Sequence, residues 1–345
     1  RHTRFKCDWS SDVCSSDLQA ESGDFRESAG LPQGRRKRTV HLLASMGRFG
    51  GCVGRQHLQP GKGLLSVASV TQADREAIRE AIRRICAGFP NAYWREIDKA
   101  GEYPQAFVKA LTESGYLAAL IPEDYGGAGL GMTEAGIILE EINRSPGNGL
   151  ACHAQMYTMG TLLRHGSEEQ KRRYLPGIAS GQLRLQAFGV TEPNAGSETT
   201  KIETTAVRKG DRYIVNGQKI FISRVKQSDL MLLLARTTPY AELRDKTQGL
   251  SVFLVDLRDI KGRFEVRPLD MMFNHHTNVL FFEDVEVPAE NLVGQEGMGF
   301  RHIIDGWNAE RILIASEAIG DGRWFVEKSA QYAKDRVVFG KPIGA

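Results

Sequence analysis

The segment Val190–Ser197, with the sequence Val-Thr-Glu-Pro-Asn-Ala-Gly-Ser, carries the groups best suited to hold a ligand. Its proline, asparagine and glycine favour a tight turn. Hydroxyl groups flank that turn at Thr191 and Ser197. A loop of this kind presents backbone N–H groups and two hydroxyls to a flat, polar molecule. The same residues are also typical of a surface turn between two strands.

Glu310 is the candidate for proton transfer, because it lies beside Arg311 early in a predicted helix with several isoleucines. Burial of the carboxyl group would raise its pKa and make Glu310 a general base that works near neutral pH. The alternative is structural, since a Glu beside an Arg on a helix is commonly an ion pair. The residues alone leave both interpretations open.

The composition is typical of a globular protein, with 41% hydrophobic and 25% charged residues. No apolar run reaches the roughly 18–20 residues that span a bilayer. Residues 1–66 hold 11 Lys/Arg against 6 Asp/Glu, whereas the remainder holds 34 against 36. The net charge of +3 therefore predicts no nucleic-acid partner. Five scattered cysteines without metal-ligand spacing fit a reducing compartment.

Residues 1–66 are rich in Ser, Gly, Asp and Arg and show no sustained helical or strand period. This composition predicts a disordered extension or an artefact of sequence assembly, and Cys7–Leu18 resembles translated adapter DNA. The basic run Arg35–Arg38 raises the alternative of a targeting peptide. No apolar signal core is present, and the early acidic residues argue against a transit peptide.

The remaining pattern predicts three further regions. Residues 67–183 carry helical periods and capping signals, which predict an N-terminal helical domain. Residues 184–290 change to a period of two, which predicts a middle β-sandwich or barrel, with Asn216-Gly217 as a hairpin turn. Residues 291–345 are predicted to begin a C-terminal helical bundle with two helices. Their apolar faces need partners, so we expect this bundle to be incomplete here. The predicted fold class is α+β multidomain.

Four segments occur in a fixed order: the Val190–Ser197 loop, Phe221-Ile222-Ser223, Trp307–Arg311 and Arg336–Lys341. Together they resemble the acyl-CoA dehydrogenase family of flavoenzymes, across about residues 67–345. The resemblance implies FAD as cofactor and α,β-dehydrogenation of an acyl-CoA in fatty acid metabolism, as in β-oxidation. Such a reaction needs a base near the α carbon, donors that polarise the thioester oxygen, and an aligned flavin ring.

The resemblance also assigns roles to single residues. In some family members the catalytic base directly precedes the Arg of this helix, and Glu310 matches that position. Other members carry the base on a later loop, which would lie beyond Ala345. Positions matching substrate contacts are Ser197, Trp307, Asn308 and Arg311. Positions matching FAD contacts are Phe188, Val190, Thr191, Ser197, Phe221, Ile222 and Ser223, with Arg336 and Phe339 reaching the adenine half in a neighbouring subunit.

Two positions depart from the family pattern. Arg224 replaces a small or amide residue, and Val338 replaces a polar residue that would bond the cofactor. The pair His275-His276 has no third ligand nearby, so no metal site is expected.

The resemblance implies an electron-transferring flavoprotein as partner and a homodimer or homotetramer. It implies no membrane span, and a location in a bacterial cytoplasm or the mitochondrial matrix. Two alternatives keep the same fold: an acyl-CoA oxidase or flavin monooxygenase that uses O2, and a non-catalytic assembly partner. The acyl chain length and branching are not readable from these motifs.

Overall fold

The computed structural model describes residues 70–345, so the predictions for residues 1–66 lie outside the described residues. The helices of this range are α1 (Gln72–Ala87), α2 (Asn91–Ala100), α3 (Gln105–Glu113), α4 (Met132–Asn143), α5 (His153–His165), α6 (Glu168–Ser180) and α7 (Gly299–Asp335). The strands are β1 (Leu185–Gly189), β2 (Thr205–Lys209), β3 (Arg212–Ser223), β4 (Leu230–Arg236), β5 (Leu250–Asp256), β6 (Lys261–Pro268), β7 (Thr277–Pro288), β8 (Leu292–Val293), β9 (Val337–Val338) and β10 (Lys341–Pro342).

The helical first part is confirmed, and its helix starts follow local capping chemistry. Asp74 N–H donates to Thr71 Oγ1 at 3.2 Å, and the Asp74 carboxylate accepts from Thr71 N–H at 2.9 Å. Ser167 and Gln170 form the same reciprocal arrangement at α6. These contacts satisfy N–H groups that a helix start leaves without partners. Helix α2 was not predicted, because it begins after Pro90 without a side-chain cap.

The middle region is a mixed sheet in which β6, β7, β3 and β2 form one half and β1, β4, β5 and β8 form the other. The halves are joined between β2 and β4 by the single pair Thr205–Arg236. Buried side chains from both halves, such as Val215 and Phe253, belong to one apolar cluster. The two halves therefore pack as layers around one core, which agrees with the predicted β domain.

The Asn216-Gly217 turn prediction is wrong. These residues lie inside β3, and the chain reverses instead before Arg212. Gly217 has φ 141°, and a Cβ there would overlap Thr204. Glycine is therefore required at this position for an irregular strand conformation and a close backbone approach, not for a hairpin turn.

The prediction of two C-terminal helices, at Phe300–Glu317 and Gly322–Arg336, is also wrong, because α7 runs without interruption from Gly299 to Asp335. Gly320 is buried, and a Cβ on it would overlap the carbonyl oxygen of Glu140 in α4. Gly136 of α4 likewise lies against Ser316 of α7. The glycines allow two helices to approach closely, so they act in packing and do not end the helix.

Candidate active site

The Val190–Ser197 loop leaves the end of β1, which lies parallel to β4 in the sheet. Glu192 and Ala195 close its turn with two backbone hydrogen bonds of 3.0 and 3.1 Å. Thr191 is half-buried and Ser197 is exposed, and neither hydroxyl makes a hydrogen bond within residues 70–345. The loop thus offers two free hydroxyls on a turn whose backbone is fixed.

A buried ion pair holds this loop against β3. Lys219 Nζ donates to the Val190 carbonyl oxygen at 2.9 Å and to Glu192 Oε1 at 2.8 Å. The same carboxylate accepts the N–H groups of Glu203 at 2.6 Å and Thr204 at 3.0 Å. Ile220 N–H adds a bond of 2.9 Å to the Thr191 carbonyl. The carboxylate therefore accepts three hydrogen bonds around the base of the loop, one fewer than its roughly four lone-pair sites allow.

Burial lowers the pKa of Lys219 to about 8, although Glu192 opposes that change. Burial also disfavours the ionised form of Glu192, but Lys219 and the surrounding N–H donors outweigh it and lower the pKa of that carboxyl group. Both groups are accordingly ionised at neutral pH. This pair was not predicted from the sequence. The available signal was the alternation of β3, which places Lys219 on the same buried side as Tyr213 and Val215.

A bulge at the end of β3 sets the orientation of Phe221, Ile222 and Ser223. Pairing with β7 shifts register between Lys219 and Ile222, and Phe221 adopts φ 62°. The Phe221 ring is consequently 61% exposed, whereas Ile222 is buried in the β core. Ser223 Oγ lies 3.4 Å from Thr277 Oγ1. Bulges of this kind re-aim side chains and are frequent beside active sites.

Helices α5 and α7 run antiparallel and are joined by a hydrogen bond at each end. His153 Nδ1 lies 2.8 Å from Glu317 Oε1 at one end, and His165 Nε2 lies 2.7 Å from Asp305 Oδ2 at the other. Between them, a Cβ on Gly306 would lie 2.7 Å from Thr161 Oγ1. The two helices are therefore so close along their line of contact, the α5–α7 seam, that a larger side chain would not fit at Gly306.

Glu310 lies midway along that seam. Burial raises its pKa, and His153 and Arg311 only partly oppose the change. Tyr157 of α5 is buried nearby, and its pKa is raised by burial and then by the charges of Glu310 and Glu317. A carboxyl group in such surroundings takes up a proton more readily than an exposed one, which is the property that a general base near neutral pH requires.

The structure does not pair Glu310 with its neighbour. Arg311 is exposed, and its Nη1 donates to Asn308 Oδ1 at 3.0 Å. No ion pair within 4.0 Å joins Arg311 to Glu310 among the described residues. Trp307 is half-buried, with its ring centroid 6.1 Å from that of Phe300. The alternative of a Glu–Arg ion pair is therefore not what this helix forms.

The remaining predicted residues lie in two places. Phe188 is half-buried in β1, opposite Leu232, and Val190 is buried at the strand end. Arg336 and Phe339 lie at the small β9–β10 hairpin after α7, where both are exposed. No hydrogen bond joins these last two side chains to the Val190–Ser197 loop within residues 70–345. Within one chain, the structure does not bring them to the loop.

Two absences within residues 70–345 bear on other functions. No cluster of three or more His, Cys, Asp or Glu side chains in that range is arranged to hold a metal ion. His275 and His276 precede β7 and are not part of a strand, and His276 has φ 52°. No helix in the same range has the length and apolarity to cross a membrane.

Comparison with known proteins matches three family models in chain order. They are the acyl-CoA dehydrogenase N-terminal domain over residues 72–182, the middle domain over 187–285 and the C-terminal domain over 297–345. The acyl-CoA dehydrogenase fadE12 of Mycobacterium bovis is 34% identical over 279 residues, which cover 80% of this chain and 70% of that protein.

Two further relatives extend the comparison. The cyclohex-1-ene-1-carbonyl-CoA dehydrogenase of Syntrophus aciditrophicus is 35% identical over 72% of this chain and 59% of its own length. A crystal structure of acyl-CoA dehydrogenase from Geobacillus kaustophilus superposes with a TM-score of 0.73 at 32% identity, covering 81% of this chain and 73% of that one. Sequence and three-dimensional similarity therefore extend through all three regions of the fold.

Proposed function

The chain belongs to the acyl-CoA dehydrogenase family, and from that premise we propose that it catalyses the FAD-dependent α,β-dehydrogenation of an acyl-CoA thioester to the trans-2-enoyl-CoA. The environment of Glu310 carries this proposal. Its side chain is half-buried, burial raises the pKa of its carboxyl group, and it is not bonded to Arg311. In this reaction the ionised Glu310 removes a proton from the carbon next to the thioester carbonyl.

The residues around the Val190–Ser197 loop fit FAD. Thr191 and Ser197 offer unbonded hydroxyls, and Phe221 offers an exposed ring, so a flat polar ring system would find both donors and an apolar face here. When bound, FAD supplies the acceptor for the hydride that leaves the β carbon. The Lys219–Glu192 pair keeps the loop fixed, so the loop would hold FAD in a constant position.

The substrate contacts are proposed at Ser197, Trp307, Asn308 and Arg311. The last two are exposed and bonded to each other at 3.0 Å, which suits recognition of a polar part of the CoA thioester. We place the acyl group between α5 and α7, because Glu310 and the buried Tyr157 lie along that seam. A bound acyl group would exclude water from Glu310, which would strengthen the electrostatic interactions of the carboxylate.

Assembly and electron transfer complete the proposal. Ile312, Ile319, Phe325 and Val326 of α7 are exposed, and burying them against another chain or another helix would remove a large apolar surface from water. A homodimer or homotetramer would do this, and would also bring Arg336 and Phe339 of one chain to the cofactor of another. An electron-transferring flavoprotein is the proposed partner that reoxidises FAD.

Two measurements test the proposed function. The purified protein, supplied with FAD, is expected to show flavin absorption bands that bleach when a saturated acyl-CoA is added under anaerobic conditions. One enoyl-CoA formed for each flavin reduced would confirm the stoichiometry of the reaction. Absence of flavin bands after reconstitution with FAD would contradict the proposed function. Hydrogen peroxide formed in air at the rate of substrate turnover would favour the oxidase alternative.

A further inference from the structure

Arg224 is a buried cation without a partner. Its side chain and backbone are 3% exposed, and Nε and Nη1 make no hydrogen bond within residues 70–345. No carboxylate in that range lies within ion-pair distance of its guanidinium group. The ring of Tyr103, 5.3 Å from Cζ, is the one charge-accommodating contact that the described residues provide. A buried charge that lacks a counter-ion is costly, so an unpaired one calls for an explanation.

The backbone fixes Arg224 in this position. The residue follows Ser223 with φ 59°, a conformation that costs energy for any residue with a side chain. Its N–H donates to the His276 carbonyl at 3.1 Å, and its carbonyl accepts from Ser228 Oγ at 2.8 Å. The guanidinium is thus directed inward by a strained and well-bonded segment, although the fold gains no ion pair from it.

The other ionisable groups around Arg224 do not neutralise it. Burial, then Arg224, His153 and His276, lower the pKa of His275 to about 4. Burial raises the pKa of Cys152 to about 12, and it also raises the pKa of Tyr103. At neutral pH these groups are uncharged. Nδ1 of His275 and Nε2 of His276 are likewise buried without partners, which leaves further polar atoms free near Arg224.

A cavity of about 120 Å³ adjoins Arg224. Its walls include Trp94, Ile97, Pro104 and Leu150, so a charged group inside would have mainly apolar surroundings. Asp98 also lines the cavity; it is exposed and accepts the Asn274 N–H at 3.1 Å. The volume is well above the roughly 10–15 Å³ that one water needs. A carboxylate with adjoining methylene groups therefore has room.

We propose that Arg224 binds a carboxylate in this cavity. The guanidinium offers several parallel N–H donors, which match the two oxygens of a carboxylate. The inference rests on the proposed function for the source of that group, because Leu150 and Ala151 of the cavity wall lie just before α5, which is bonded to the helix that carries Glu310. The carboxylate is the far end of an acyl group on CoA, or a free short-chain carboxylate that binds beside the acyl group.

The first experiment compares matched thioesters with the FAD-loaded enzyme. Anaerobic flavin reduction is followed with pentanoyl-CoA against glutaryl-CoA, and with hexanoyl-CoA against adipoyl-CoA. The enzyme is expected to favour the dicarboxylic member of at least one pair. Replacing Arg224→Gln is expected to lower kcat/KM for that member by about 10–100-fold, the worth of a charge-assisted hydrogen bond, and to change the neutral member little. Arg224→Lys should retain part of the preference.

A second arm identifies the source of the carboxylate. Free glutarate and butyrate are added to the enzyme, and the thermal midpoint of unfolding is recorded for wild type, Arg224→Gln and the exposed control Lys226→Gln. A rise in wild type and Lys226→Gln that is lost in Arg224→Gln supports a free carboxylate site. Preference for dicarboxylic thioesters without such a rise supports the acyl terminus.

The outcomes separate this inference from the proposed function. Equal preference among paired thioesters in wild type and Arg224→Gln, with no stabilisation by free carboxylates, overturns the carboxylate site. Loss of bound FAD in Arg224→Gln with an unchanged circular dichroism spectrum overturns it too, since Arg224 would then serve the cofactor. Failure of every thioester to reduce wild-type flavin defeats the proposed function, while the free-carboxylate arm still decides the role of Arg224.

Discussion

Lys219 Nζ lies 2.8 Å from Glu192 Oε1, with both side chains enclosed, and this pair connects β3 to the turn of the Val190–Ser197 loop. Lys219 also bonds the Val190 carbonyl, so one ammonium group contacts the start of the loop and its turn together. A loop fixed at two points keeps its hydroxyls in a constant position. We therefore expect the pair to act on cofactor binding through the loop, without touching the cofactor.

Replacing Lys219→Met should destabilise the fold and weaken flavin retention together. Loss of Lys219 leaves the Glu192 carboxylate buried without its counter-ion, and breaking a buried pair in this way typically costs about 3–5 kcal/mol. Urea denaturation measures the free energy of unfolding, and flavin absorbance per protein measures retention. A full stability loss with unchanged flavin content would mean that the pair supports the domain but not the loop.

An exposed ion pair on the same sheet supplies the control. Arg263 and Glu283 are joined at 3.0 Å, but both side chains are largely in solvent. Arg263→Gln is expected to change the free energy of unfolding by less than about 1 kcal/mol. A double replacement of Lys219 and Glu192 by apolar residues should recover part of the stability lost in Lys219→Met, because no charge is then left buried.

The order of helical and β regions was predictable because hydrophobic periods and capping residues are local signals. The two errors both concern glycine. Asn216-Gly217 was predicted as a turn, and Gly320 lies between the two predicted helices, yet each glycine allows a close approach between segments that are distant in sequence. That approach depends on tertiary packing, which a local pattern does not contain.

The candidate site shows the same difference between local signals, which the sequence contains, and tertiary contacts, which it does not. The Val190–Ser197 loop and Glu310 were found from local sequence and family resemblance, and their roles remain predictions. The partners Glu192–Lys219 and His153–Glu317 join residues 27 and 164 positions apart, so no local spacing indicates them. Arg224 was noticed only as a departure from the family pattern, and its lack of a partner became visible in the folded chain.

Glu310→Gln should keep FAD and substrate binding but nearly abolish flavin reduction by acyl-CoA. The amide preserves the shape of the side chain but cannot accept the α proton, and loss of a positioned base typically costs on the order of 10²–10⁴ in rate. Stopped-flow absorbance under anaerobic conditions measures the reduction rate. Reduction near the wild-type rate would move the base to another residue and leave the family assignment intact.

Two variants control for general damage. Arg311→Gln removes the partner of Asn308, so it should weaken substrate binding while slower reduction stays measurable. Glu113→Gln removes an exposed carboxylate on α3 and should leave the rate unchanged. If Glu310→Gln and Glu113→Gln behave alike, the carboxylate of Glu310 has no part in proton transfer.

The raised pKa of Glu310 predicts opposite effects of pH on rate and stability. Flavin reduction should fall as pH drops through that pKa, since the protonated group is no longer a base. Stability behaves differently, because the folded protein binds the Glu310 proton more tightly than the unfolded chain does. The contribution of Glu310 to stability is therefore complete below its ordinary pKa and is lost as pH rises through the folded value.

Thermal unfolding of Glu310→Gln against pH tests this sign. The variant and wild type should melt alike at acidic pH, below the ordinary pKa of a glutamate. The variant should become the more stable of the two as pH rises toward neutrality, because it carries no buried charge. A stability difference that does not change with pH would show that Glu310 is not desolvated in the folded protein.

His153 provides a way to shift the pH dependence without altering the base. It lowers the pKa of Glu310 electrostatically while bonded to Glu317. His153→Gln removes that influence, so the pKa of Glu310 should rise and the acidic fall in reduction rate should move to higher pH. His165→Gln is the matched control, because His165 is also on α5 and also bonded to an acid of α7, at 2.7 Å from Asp305. Replacing His165 should leave unchanged the acidic pH at which the reduction rate falls. Equal shifts in the two variants would mean that the change comes from loosening the helix pair and not from the charge of His153.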